Sequence, residues 1–144
     1  MKRYIRSICL PCILLVVVVF SGCDRSKVPG LVRLEGVVTY NGEPLEGAMV
    51  NFQPISPEGR TAYATTNEAG RFKVTTIDPD DGIVKGEYKV NISKYVITRY
   101  NKLGDGGSDP VAENVLPEKF NSKETPLSIN VTAGKLDILF ELTD

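Results

Sequence analysis

The densest set of residues able to do chemistry is Asp78-Pro79-Asp80-Asp81-Gly82, three carboxylates within four positions closed by a glycine. Calcium takes several carboxylate and carbonyl oxygens from a tight loop, so Asp78, Asp80 and Asp81 are the metal candidates of this chain. Pro79 interrupts the pattern, however, and no Glu follows where a calcium loop requires one. A solvated turn explains the cluster better, and no metal is expected. Gly104-Asp105-Gly106-Gly107-Ser108-Asp109 invites the same idea and reads as a loop tip. The chain has no His, and its three cysteines are Cys9, Cys12 and Cys23. Ser-His-Asp and Cys-His nucleophilic catalysis therefore fall away, as do the usual zinc sites. No Asp or Glu stands in a recognisable glycosidase context, so neither an enzyme nor a cofactor is expected. For binding there is no Trp; Tyr63, Tyr95 and Tyr100 are the rings that could stack on a sugar or a partner, and Tyr95, Tyr100 and Phe120 are the binding candidates.

The first element positions the whole chain. Lys2, Arg3 and Arg6 precede an apolar run from Ile8 to Phe20, and small residues then lead to Cys23. That order is a secretory leader. The run of thirteen residues is short of the roughly twenty a spanning helix needs, and Pro11 sits inside it. Phe20-Ser21-Gly22-Cys23 resembles the lipobox of bacterial lipoproteins, with Phe20 where Leu is usual. The resemblance implies that residues 1–22 are a cleaved signal peptide. It further implies that Cys23 carries acyl chains of the palmitate type and that membrane lipid is the first partner. Stable anchoring takes more than one chain. The expected location is the cell envelope, on the extracytoplasmic side of a bacterial membrane.

Residues 23–30 then form a tether and residues 31–144 one domain. Without the leader, fourteen cations face eighteen anions, a net charge of −4. That balance argues against nucleic acid as a partner. With Cys9 and Cys12 in the leader and Cys23 acylated, no disulfide can form, so packing alone must hold the fold. Between Cys23 and Leu31 lie seven residues, whose reach is roughly 25 Å when extended. The domain is held close to its membrane.

The domain reads as strands. Val32, Leu34, Gly36, Val38 and Tyr40 alternate with Arg33, Glu35, Val37 and Thr39, the period of a half-buried strand. Asn41-Gly42 suits a tight turn with positive φ. Further alternations run through Ala48–Gln53, Ala62–Thr65, Phe72–Thr75, Tyr88–Ser93, Leu127–Val131 and Leu136–Leu142. Seven short strands with no helix to cover a sheet point to an all-β, seven-stranded antiparallel β-sandwich. Residues 95–124 break the rhythm with Gly104, Gly106, Gly107, Pro110 and Pro117, and read as a long loop. Val115, Leu116 and Phe120 are expected to anchor part of it. Asn91-Ile92-Ser93 and Asn130-Val131-Thr132 look like glycosylation triplets and read as chance matches on outward strand faces.

Gly36 to Ala48 (GVVTYNGEPLEGA) resembles the opening of carboxypeptidase regulatory-like domains, which are transthyretin-like (prealbumin-like) sandwiches akin to adhesin B repeats. Thr66-Asn67-Glu68-Ala69-Gly70-Arg71-Phe72 and Gly86-Glu87-Tyr88-Lys89-Val90 are similar to two later motifs of that family. Adhesin relatives imply a Lys–Asn isopeptide bond, yet alternation points Lys73 and Lys89 outward. The resemblance implies a fold and leaves activity open. The function expected is a non-catalytic structural or protein-interaction domain of the envelope, with an envelope protein as partner. A carbohydrate- or wall-binding module with a glycan partner is the alternative.

Overall fold

The structure, a computed structural model, describes residues 28–102, 106–132, 134 and 136–144. The leader, Cys23, Asp24 and most of the tether lie outside the described residues, as do Gly104 and Asp105.

Twelve strands are described: β1 Leu31–Val32, β2 Leu34–Tyr40, β3 Glu43–Pro44, β4 Met49–Pro54, β5 Ala62–Thr65, β6 Arg71–Lys73, β7 Ile83–Val84, β8 Gly86–Ser93, β9 Tyr95–Lys102, β10 Ser108–Asn114, β11 Ser128–Val131 and β12 Leu136–Leu142. A 3₁₀ turn occupies Glu118–Phe120. One sheet runs β11-β8-β4-β5, and another runs β12-β2-β3, with β6 also paired to β2. The inward residues of both sheets belong to one core. Val50 and Phe52 come from β4, Tyr88, Val90 and Ile92 from β8, Leu34 and Val38 from β2, and Phe140 and Leu142 from β12. The Phe72 ring of β6 joins the layers: its centroid is 6.2 Å from Phe52 in the first sheet and 6.2 Å from Phe140 in its own. Such pairs add about 0.5–1.5 kcal/mol beyond the area they bury. The chain is thus all-β, with two sheets facing across a shared core as in a β-sandwich.

Period-two patterning explains the register. A slip of one residue in β4 would send Val50 and Phe52 to solvent and bring in Met49 and Asn51. The Asn41-Gly42 turn has φ of 50° and 86°, the double positive φ that closes a two-residue hairpin. It pairs Tyr40 with Glu43. Gly36 sits on the inward side of β2, where a Cβ would overlap the carbonyl of Ile138 and lie 2.8 Å from the Phe72 ring. The missing side chain leaves room for its two sheet neighbours, Ile138 of β12 and the Phe72 ring of β6, to pack over β2. Tyr88 is fully buried, and its hydroxyl donates to the Val84 carbonyl at 2.9 Å, four residues upstream. Burial raises its pKa, only partly countered by a backbone hydrogen bond at Arg60.

The expected seven strands correspond to β1 with β2, β4, β5, β6, β8, β11 and β12, and the structure adds β3, β7, β9 and β10. The sheets are also not wholly antiparallel, because β12 runs parallel to β2 from Leu136 beside Leu34 to Leu142 beside Tyr40. The chain crosses from β11 at the edge of one sheet to β12 in the other. Such a crossing is free of the reversal a tight hairpin imposes. Alternation tells which face a strand buries and says nothing of its direction. Residues 95–124 are not a loop throughout: β9 and β10 pair from Tyr95–Asn114 to Lys102–Ser108, and 115–124 carry no strand. Leu116 and Phe120 are buried as expected, whereas Val115 is exposed. Asn91 is buried rather than outward, although Asn130 is exposed.

Candidate functional site

The acidic cluster serves its own loop. Asp81 Oδ1 accepts the Thr76 N–H at 2.7 Å, and its Oδ2 accepts those of Ile77 and Asp78 at 3.0 and 2.9 Å. Thr76 Oγ1 in turn donates to the Gly82 carbonyl at 2.6 Å. Asp80 adopts φ of 60°, takes its N–H to Thr75 Oγ1 at 3.0 Å, and lies 3.8 Å from Lys73 Nζ. Desolvation pushes the Asp81 pKa up, but the amides of Thr76, Asp78, Ile77 and Asp81 itself pull harder, and the net shift is downward. Among the described residues no three His, Cys, Asp or Glu side chains group to hold a metal ion. Asp78, Asp80 and Asp81 therefore do not converge on one point, and Asp81 acts as a turn-builder.

Beside this loop an open groove of about 520 Å³ is lined by Glu35, Tyr63, Asn67, Arg71, Lys73 and Asp80. It lies where β5 meets the segment just after β6, through paired backbone hydrogen bonds of Tyr63 and Thr75 at 2.8 and 2.9 Å. Tyr63 is about half exposed there. Asn67 is committed to its turn, since its Oδ1 accepts the N–H groups of Ala69 and Arg71 at 3.0 Å. Lys73 and Lys89 are exposed, so no buried Lys–Asn pair forms at these positions.

The second place is the β9–β10 hairpin, a two-stranded sheet of its own. None of its residues is buried. Tyr95 pairs with Asn114, Ile97 with Ala112 and Tyr100 with Pro110. Because Asn114, Ala112 and Pro110 alternate along β10, they share one face with their partners. Tyr95 and Tyr100 are five residues apart and would ordinarily face opposite ways. A bulge reconciles them: Ile97 and Arg99 pair with the adjacent Ala112 and Val111, which leaves Thr98 as an extra residue. The result is one face bearing Tyr95, Ile97 and Tyr100, which are 54%, 56% and 63% exposed.

The hairpin has a firm root. Asn114 Oδ1 accepts the Lys94 N–H at 2.9 Å and the Leu116 N–H at 3.3 Å, while Val115 donates to the Lys94 carbonyl at 2.9 Å. Beyond it, Phe120 is buried in the core with Lys119 Nζ 5.0 Å from its ring centroid. Phe120, a binding candidate by sequence, is therefore a packing residue. Ile97 was missed because the glycines and prolines around it read as loop. The signal was present in Tyr95-Val96-Ile97-Thr98, a run of aromatic and β-branched residues suited to a strand.

No family model and no curated protein matches this chain. Among solved structures it is similar to a 9R-lipoxygenase from Cyanothece, at 16% identity and a TM-score of 0.40, over 79% of this chain and 16% of that one. It is also similar to a DUF3823 family protein from Parabacteroides merdae, at 14% identity and a TM-score of 0.37, over 78% of this chain and 45% of that one. The chain spans less than half the length of either. Both likenesses are too distant to bear on activity.

Proposed function

We propose that this chain is an envelope lipoprotein whose domain is a non-catalytic protein-interaction module, presented outside the cytoplasm by acylated Cys23. The observation that carries the interaction reading is the face of Tyr95, Ile97 and Tyr100 on a hairpin with no buried residue. Apolar rings held in water on a firm root are the composition of a contact surface. The lipobox-like leader supports the anchor. Positive φ at Gly42, Gly47 and Gly70, all within the quoted motifs, supports a carboxypeptidase regulatory-like, transthyretin-like sandwich. The test is crosslinking and pull-down from the native membrane, comparing wild type with a variant in which residues 96–113 are replaced by a short turn. One envelope protein, this chain included, recovered with wild type alone supports the reading; identical recoveries refute it. Fatty-acid labelling lost on Cys23→Ser tests the anchor separately.

A second reading, glycan binding, is favoured by the half-exposed Tyr63 ring in a groove with Glu35, Arg71 and Lys73. Retention on wall polysaccharide that disappears with Tyr63→Ala would support it.

A further inference from the structure

The hairpin is an incomplete sheet. An isolated two-stranded hairpin is marginal in water, and a third strand is what ordinarily makes such a ribbon stable. The two edges are not equivalent. On β10, Pro110 removes a backbone donor, and Asp109 and Glu113 add negative charge; proline and charge are devices that close an edge to further pairing. The β9 edge has no proline, and from Lys94 through Lys102 its charges are Lys94, Arg99 and Lys102, with no acid among them. The strand it accepts should be apolar and acidic.

This chain carries such a strand. Among the described residues β12 pairs with β2 alone, at the margin of its sheet. Its outward positions are Asp137, Leu139 and Glu141, all exposed, with Leu139 at 58%. The sequence carboxylate–leucine–carboxylate complements the face of β9 that carries Tyr95, Ile97, Tyr100 and Lys102, whereas Arg99, paired with Val111, lies on the opposite face. Pairing β9 with β9 of another copy would join two basic edges with no acid between them, and pairing β9 with β10 meets Pro110. We propose that the β9 edge of one copy docks beside the β12 edge of a second copy. The contact is heterologous, so it propagates from copy to copy along the membrane. Confinement by the proposed lipid anchor would raise the effective concentration, which a small interface needs. The inference rests on the interaction reading above and names its partner.

The experiment uses the full chain in its native membrane, with a photo-crosslinking amino acid in place of Ile97. The expected product has twice the chain mass, and its crosslinked peptide contains residues of β12. Lys102→Glu, on the face that meets the carboxylates, should lower its yield about fivefold. Adding Asp137→Lys and Glu141→Lys to that same chain should restore it, a rescue that misfolding could not produce. An adduct with a different protein overturns the second-copy proposal while leaving an interaction module intact. An adduct between copies outside β12, or no rescue, overturns the proposed pairing. No adduct from protein that labels with fatty acid and fractionates with membrane overturns both readings.

Discussion

The Thr66 hydroxyl donates to the Leu45 carbonyl at 2.5 Å and accepts the Ala48 N–H at 2.8 Å. All three residues are buried, so one side chain satisfies both ends of the loop between β3 and β4. Thr66→Val keeps the shape and removes both hydrogen bonds. Leaving a buried donor and acceptor short costs about 1–3 kcal/mol each where water cannot enter. The expected fall in unfolding free energy is about 2–3 kcal/mol for Thr66→Val and below about 1 kcal/mol for Thr66→Ser. Urea midpoints of the three chains decide it; equal losses for Val and Ser would remove the hydroxyl from the account.

Two glycines should answer alanine differently. At Gly36 a Cβ overlaps the Ile138 carbonyl and meets Ile138 Cγ1 and the Phe72 ring at 2.8 Å. Overpacking of a closed core costs about 1–3 kcal/mol. Gly47 has φ of 65° but nothing near its missing Cβ, so Gly47→Ala meets only the left-handed backbone cost, about 1 kcal/mol. Thermal unfolding should rank Gly36→Ala below Gly47→Ala, and the reverse order would mean that Ile138 and the Phe72 ring shift freely to admit a Cβ at Gly36.

Much of this fold was legible because period-two patterning is a direct record of burial. Val50 and Phe52 against Met49 and Asn51 gave β4, and Asn41-Gly42 gave its hairpin without any long-range information. What was not legible depends on pairing partners. The sequence of β12 is equally compatible with a parallel or an antiparallel neighbour, and its long-range pairing with β2 settles the direction. Likewise Tyr95 and Tyr100 have odd spacing, so alternation separates them; their shared face exists only because Thr98 is bulged against β10. Asp78, Asp80 and Asp81 have metal-ligand chemistry, but whether a carboxylate faces an ion or its own backbone is a matter of loop conformation.

Phe120 and Tyr100 should separate packing from contact. Phe120 is buried among core residues, and Phe120→Ala leaves a cavity that costs about 3–5 kcal/mol. Tyr100 is largely exposed, and Tyr100→Ala should change stability by less than about 0.5 kcal/mol. The crosslinking yield at position 97 should fall for Tyr100→Ala while its urea midpoint holds. A stability loss at Tyr100 as large as at Phe120 would make that face part of the fold and take away the contact surface.

Acid should act through Asp81. Its pKa is lowered in the folded chain, where backbone amides outweigh desolvation. A group with a folded pKa below its unfolded one contributes stability that is complete above the unfolded value. That contribution is lost as pH falls through the folded value. The window therefore opens near pH 4, where a free aspartate titrates at about 3.9, and extends below it. Asp144 is lowered too, by the Tyr40 hydroxyl first and Asn41 second, so Asp144→Asn is the comparison that isolates the loop. Asp81→Asn cannot accept with both side-chain atoms, and turns an amide donor toward backbone N–H groups. The Asp81→Asn chain should be less stable than wild type at neutral pH, and the difference should narrow as pH falls below about 4. Urea midpoints measured from about pH 7 to about pH 2.5 check this directly. A difference that stays constant across the range would mean that the charge of Asp81 contributes nothing to holding the loop.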